Sequence, residues 1–199
     1  MRVILASKSP RRREILSFFG VEFEILSADA DESSDITDPE ALVRELALRK
    51  GRATRELMQK NGDWDDDTLI IAADTVVANG NDILGKPADD ADAARMLRDL
   101  SGHDHRVISG VALLYADREA TAGDCTLVHF TPMTDADIAW YVQSGEPRDK
   151  AGAYAVQGLA SLFIKGLEGD YFNVVGLPVY RLNELLKSFL SKTIPELNA

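Results

Sequence analysis

Short apolar runs and helical periodicity alternate from one end of this chain to the other, and that alternation limits the fold more than any figure of composition. "VILA" at residues 3–6 reads as a buried strand. Ser9 then stands at an N-cap position with Pro10 at the first helical position, and Ile15, Leu16 and Phe19 give the apolar face of a helix that Gly20 ends. "VEFEILS" alternates Val21, Phe23 and Ile25 with Glu22 and Glu24, the pattern of a half-buried strand, and the acidic "DADESSD" after it reads as a solvated loop. From Pro39 to about Gln59, Leu42, Leu46 and Ala53 keep helical spacing until "NGDWDDD" breaks it. "TLIIAADTVVANGNDILGKP" sets two apolar runs around one Asp, then turns through Gly into a short strand ending at Lys86 and Pro87: a central strand or a hairpin.

The second half continues in the same manner. "DADAARMLRDLSG" predicts a helix with Ala94, Leu97 and Leu100 inward and Gly102 near its C-cap. Two strands come next at roughly 105–115 and 124–131, and "TDADIAWYVQSG" predicts a helix capped at Thr134. After the Gly-rich "GEPRDKAGAYAVQG", "ASLFIKGLEG" resumes strand character before a final helix through Leu177, Leu182, Leu185 and Leu186. Strands joined by both hairpins and helical crossovers predict an α/β fold, a twisted mixed sheet flanked by helices. With no internal repeat and no linker, residues 1–199 read as a single α/β domain.

Composition narrows the partners. Lys plus Arg number 22 against 33 for Asp plus Glu, a formal charge of −11 that repels nucleic acid and anionic membrane at long range. Neither is an expected partner, and any basic cluster is local. The single Cys125 excludes an internal disulfide and a Cys-rich zinc site, and the three histidines supply no His-x-x-x-His pair. A reducing cytoplasm is the expected setting. Cys125 reads as a small core residue, and Trp64 and Trp140 as packing at the edge of the core. The apolar stretch Val3–Ala6 is too short for a signal peptide or a membrane span.

Four constellations can carry chemistry. In "ASKSPRRRE" three arginines gather where a helix already presents its positive end. Unsatisfied N–H groups and about half a positive charge suit a phosphate there, and Arg adds bidentate donors. The alternative is a charged turn on a solvated helix face. The second is Asp74, a lone carboxylate in "LIIAADTVVA", which must pair with a base, a metal or a hydrogen-bond network unless it sits in a tight turn bonding its own backbone. Lys86, past the next turn, could bring an ammonium to the same end of the sheet. Third, in "GEPRDKAGAYAVQG" Glu146, Asp149 and Lys150 precede small residues that allow close backbone approach and then Gln157, whose amide can read a base edge; the alternative is an exposed loop with no partner. Fourth, Asp31 and Glu32 offer oxygen ligands to Mg²⁺, or are merely solvated. Lys50 and Arg52 are helix-face charges or part of the same chemistry. There is no Ser-His-Asp order, no Walker-type loop and no Gly-x-Gly-x-x-Gly, so acyl transfer, P-loop hydrolysis and dinucleotide binding lose support.

"LASKSPRRREIL", "ADTVV" with "ILGKP", "LSGHDHRVISGVAL", "YVQSGEPRDKAGAYAVQG" and "VVGLPV" occur in that order, and over about residues 3–190 the chain resembles the Maf family of nucleoside triphosphate pyrophosphatases. The resemblance implies two lobes around a cleft, an architecture similar to inosine triphosphate pyrophosphatase, possible homodimerisation, and hydrolysis of a nucleoside triphosphate to the monophosphate and pyrophosphate. Arg11, Arg12, Thr75 and Gln157 match the branch that resembles dTTP/UTP pyrophosphatases, and the Trp, Gln and Glu that mark the 7-methyl-GTP branch are absent. Lys8 departs from the small residue more usual at its position and leaves the motif intact.

Residues and resemblance together give an expected mechanism. Ser7, Arg11, Arg12, Lys50 and Lys86 hold the triphosphate and offset charge in the transition state. A divalent cation, Mg²⁺ before Mn²⁺, is held by Glu32 with Asp74. Asp74 is the general base for a water attacking the α-phosphorus, with Lys86 beside it in catalysis, and Thr75 and Gln157 read the pyrimidine. Two rivals stand: a pyrophosphatase for modified nucleotides of the 7-methyl-GTP or ITP type, and a non-catalytic nucleotide-sensing regulator of cell division.

Overall fold

The protein is described by a computed structural model over residues 1–198. In chain order its elements are β1 (Arg2–Leu5), α1 (Pro10–Phe18), β2 (Glu24–Ile25), α2 (Pro39–Asn61), β3 (Thr68–Asn79), β4 (Asp82–Leu84), α3 (Asp90–Leu100) and β5 (Asp104–Tyr115). Then come β6 (Arg118–Phe130), α4 (Asp135–Gln143), β7 (Ile164–Glu168), α5 (Tyr171–Val175) and α6 (Val179–Leu190), with short 3₁₀ turns at 146–149, 151–153, 159–163 and 194–198.

The sheet has seven strands in the order β2-β1-β3-β5-β6-β7, with β4 paired to β3. β1 runs parallel to both neighbours, Leu5 lying opposite Ile25 on β2 and Ile71 on β3. Parallel neighbours need crossovers, and α1 and α2 supply them. β4 and β7 are antiparallel to β3 and β6, so the sheet is mixed and the fold α/β, as expected.

The chain divides into two compact units, both discontinuous in sequence. The first comprises Met1–Asp74, Ser109–Asp124 and the stretch from Gly176 onward. Its core joins Ile4, Ile70, Ala72, Ala112, Leu114 and Met58. Two glycines let α2 lie close on β5. A Cβ at Gly110 would fall 2.4 Å from the Val43 carbonyl oxygen, and one at Gly51 would fall 2.4 Å from Leu114 Cδ1. The second unit comprises Thr75–Ile108 and Cys125–Val175, around a core that includes Leu97, Leu100, Val107, Val128, Phe130 and Tyr141.

Several sequence expectations need correction. β2 is two exposed residues rather than a half-buried strand: only Glu24 and Ile25 pair with β1, so the alternation through Val21 and Phe23 has no ladder to support it. Phe19 is exposed and α1 buries only Ile15 and Leu16. β6 begins at Arg118, not near 124, because it continues the hairpin with β5. Cys125 is exposed: Thr126, Val128 and Phe130 face inward on β6, and period-two alternation turns Cys125 to the other face. The C-terminal helical stretch is two helices, broken at Gly176–Pro178. Among the described residues no helix is long and apolar enough to cross a membrane.

Candidate functional site

In the first unit the register of the parallel strands decides which side chains meet. Leu5 is level with Ile25 and Ile71, so the carboxyl ends of β1, β2 and the first part of β3 lie together. Beyond those ends the chain runs into Ser7 and α1, into the acidic loop carrying Glu32, and into Asp74 itself. The carboxyl ends of strands are where open α/β sheets take their ligands.

Leaving β1, the Ala6 N–H donates to the Ile71 carbonyl at 2.8 Å, which holds the chain against β3 for one more residue. Ser7 is buried, and its Oγ accepts from the Ser9 N–H at 3.2 Å and from Arg12 Nη1 at 3.3 Å. Ser9 stands at the N-cap as expected, yet its side chain makes no capping bond. Arg12 Nε donates to the Gly176 carbonyl at 2.7 Å, a tie that sequence reading did not find because the two lie 164 residues apart. Desolvation pushes the Arg12 pKa down, against the pull of the Asp74 carboxylate, while the Arg11 charge adds to the lowering. A guanidinium stays charged through such a shift, so the first turn of α1 presents fixed positive charge.

Asp74 lies inside an unbroken β3, not in a turn, and only 8% of it is exposed. Its partner is Lys50: the ammonium donates to Asp74 Oδ1 and forms an ion pair with Glu32 Oε1 at 2.9 Å. Lys50 precedes Gly51, whose missing side chain lets α2 lie close to Leu114. Lys50 is therefore more than a helix-face charge. Arg52, on the same helix, pairs instead with Glu119, as does Arg55.

The donor set fits a hard divalent cation only in part. Two carboxylates, Glu32 and Asp74, meet at one positive charge, the Lys50 ammonium, and are the two residues that could hold a cation together. Among the described residues no group of three or more His, Cys, Asp or Glu forms a metal site. Two carboxylates suit Mg²⁺ completed by water and phosphate, not an ion caged by protein alone.

The remaining candidates lie in the second unit. Thr75 is half-buried on β3 directly after Asp74. Lys86 is exposed just past β4, where the Gly85 carbonyl accepts from the Gly152 N–H at 3.0 Å. Gln157 is exposed although the three residues before it are buried. Sequence reading missed Tyr141, and it placed Glu146 in the Gly-rich segment without its role; both hold the Gln157 segment by hydrogen bonds. The available signal was a Tyr on the apolar face of α4, since a buried tyrosine hydroxyl needs a partner. His105, which has no triad pattern in the sequence, is buried in the core with Nε2 2.8 Å from the Tyr154 hydroxyl.

Known proteins are similar to this sequence along nearly its whole length. The family model described as Maf-like protein matches residues 2–189. A protein of Symbiobacterium thermophilum named dTTP/UTP pyrophosphatase is 45% identical over 189 residues, 94% of each chain. Proteins of the same name from Pelotomaculum thermopropionicum and Thermococcus kodakarensis are 47% and 44% identical, covering 94% and 96% of this chain and 96% and 100% of their own. A solved structure of the Staphylococcus aureus Ham1 protein aligns at a TM-score of 0.46 and 13% identity, over 65% of this chain and 72% of that one.

Proposed function

The chain belongs to the Maf family, and from that membership we propose that it is a nucleoside triphosphate pyrophosphatase with dTTP and UTP as favoured substrates. The observation that carries the reading is a nearly buried Asp74 carboxylate paired with Lys50, in the same unit as a cationic helix start. Relatives at more than two-fifths identity bear the name of that activity.

Ser7, Arg11, Arg12, Lys50 and Lys86 bind the triphosphate. Arg12 and Ser7 are already held by bonds to each other and to Gly176, so little ordering is left for the moment of binding. Lys50 is shared: an incoming polyphosphate competes for its ammonium, and Asp74, relieved of that partner, takes the proton of a water. The water oxygen bonds to the α-phosphorus, the bond from that phosphorus to the bridging α-β oxygen breaks, and pyrophosphate departs with the bond's electron pair. Glu32 and Asp74 would hold Mg²⁺, which when bound neutralises charge on the phosphates. Thr75 and Gln157 read the pyrimidine, and a wrong base leaves their polar groups unpaired.

The experiment is pyrophosphate release by the purified protein with Mg²⁺ across dTTP, UTP, CTP, dATP, GTP, ITP and 7-methyl-GTP, compared by kcat/KM. Dominance of dTTP and UTP is the expected result. Dominance of ITP or 7-methyl-GTP overturns the base assignment and keeps the chemistry; binding without turnover of any triphosphate overturns the enzyme.

A further inference from the structure

The segment around Gln157 is held far more firmly than an exposed loop residue needs. Tyr154, Ala155 and Val156 are buried, and the turn from Ala155 closes on itself through the Gly158 N–H to the Ala155 carbonyl at 3.1 Å. Gln157 is the exposed side chain of that turn.

Two side chains grip the turn from either end. On the N-terminal side the Ala155 N–H donates to the Tyr141 hydroxyl at 3.2 Å. On the C-terminal side the Leu159 N–H donates to Glu146 Oε2 at 3.1 Å. The grips are joined, because the Tyr141 hydroxyl donates to Glu146 Oε1 at 2.7 Å. The result is a closed circuit: backbone, hydroxyl, carboxylate, backbone. Gly158 is part of the fit, since a Cβ there would fall 2.3 Å from Glu146 Oε1. Tyr141 is fully buried, and the anionic acceptor and backbone donor together use both capacities of its hydroxyl.

This circuit bears on the base. A glutamine amide offers an NH2 donor group and a carbonyl acceptor. Uracil and thymine present a carbonyl and an N–H along one edge, and cytosine presents the reverse. The amide can still turn about its own side-chain torsions; what a held backbone fixes is the place from which it meets that edge, whereas a mobile backbone lets it shift to suit either base.

We propose that Tyr141 and Glu146 are positioning residues for base discrimination, acting by fixing the turn that presents Gln157. The proposal rests on the reading of Gln157 as a base-reading group. Its test is the ratio of kcat/KM for UTP over CTP in wild type, Tyr141→Phe, Glu146→Gln, Gln157→Ala and the double variant Tyr141→Phe/Gln157→Ala, with thermal unfolding of each. Tyr141→Phe should lower the ratio about five- to tenfold while kcat for UTP stays within about twofold, the size of one lost polar constraint. In the Gln157→Ala background the same change should move the ratio no further. If Gln157→Ala collapses the ratio but Tyr141→Phe and Glu146→Gln leave it intact, the positioning role is overturned and the base reader stands. Additive losses in the double variant overturn it too. If Gln157→Ala leaves the ratio untouched, the reading of Gln157 fails and the proposal falls with it. Should Tyr141→Phe not fold, Glu146→Gln decides, because it keeps an acceptor for the hydroxyl and replaces the one that serves Leu159.

Discussion

Lys50 and Asp74 meet as an ion pair, one from the middle of α2 and the other from within β3, with only 20% and 11% of their side chains exposed. Glu32 shares the same ammonium from a loop that is mostly exposed. A nearly buried carboxylate thus has a firm cation and a second, solvated acid close by. One ammonium is therefore shared by two carboxylates, and an anion that competes for Lys50 competes with both.

Asp74→Asn tests the base directly. The amide keeps the shape and can still meet Lys50, but it takes no proton. kcat for pyrophosphate release should fall by about 10²–10⁴-fold, the usual contribution of a positioned base, while Kd for a non-hydrolysable triphosphate analogue moves far less. Retention of kcat within about fivefold would move the base elsewhere.

Arg12→Lys should cost both stability and affinity. Arg12 uses Nε for the buried Gly176 carbonyl and Nη1 for Ser7 Oγ. A single ammonium cannot repeat that fork, and losing a buried hydrogen bond from a charged donor costs about 1–3 kcal/mol. The expected outcome is a lower Tm and a KM for UTP raised about tenfold, since one charge-assisted contact is worth about that much. A KM unchanged alongside a lowered Tm would make Arg12 purely structural.

The range of each interaction decides how legible it was in the chain. α4 was legible because its capping box is local: Thr134 and Asp137 satisfy each other's backbone N–H groups. α2 was legible from Pro39 and its periodicity, and Asp38 caps it through the Ala41 N–H. The apolar run around Asp74 announced that a charge inside it needed a partner, but nothing local names Lys50, which lies 24 residues earlier on another element. The same holds for Arg12 with Gly176 and for Tyr141 with the Gln157 turn. β2 failed in the opposite sense: alternation was present, and only two residues found a ladder. Periodicity tells which face is apolar, not whether an adjacent strand is long enough to use it.

His105 makes acid stability pH-dependent in a direction that can be worked out. Burial lowers its pKa from 6.5 to about 4, outweighing a backbone hydrogen bond at His103 and the nearby Asp104 charge. The unfolded chain therefore binds a proton first as pH falls, and stability drops between about 6.5 and about 4, by on the order of 3 kcal/mol in all. His129 acts the other way: Asp104 and Glu168 raise its pKa, so the stability it adds is complete below 6.5 and is lost as pH rises through the raised value. Tm measured from pH 7.5 to 4.5 should fall less steeply in His105→Phe than in wild type. Parallel curves would show that His105 does not titrate in this window.

Gly110 and Gly51 both seat α2 on β5, yet substituting them should have unequal effects. At Gly110 the new methyl would meet backbone, 2.4 Å from the Val43 oxygen and 2.7 Å from the Arg44 nitrogen, and backbone inside a helix cannot move without moving the helix. At Gly51 it would meet the tip of the Leu114 side chain, a rotatable group, and alanine regains about 1 kcal/mol of helix propensity over glycine. Gly110→Ala should therefore cost about 2–4 kcal/mol by overpacking, and Gly51→Ala about 1–2 kcal/mol. The functional consequence separates them further. Displacing α2 at Val43 shifts the frame that carries Lys50 toward Asp74, so Gly110→Ala should lower kcat even at temperatures where the protein is fully folded. Urea unfolding of both variants, with UTP turnover measured well below each Tm, checks this. Equal costs at the two positions would mean that Leu114 is as rigid as the helix backbone and that α2 is fixed along its whole length.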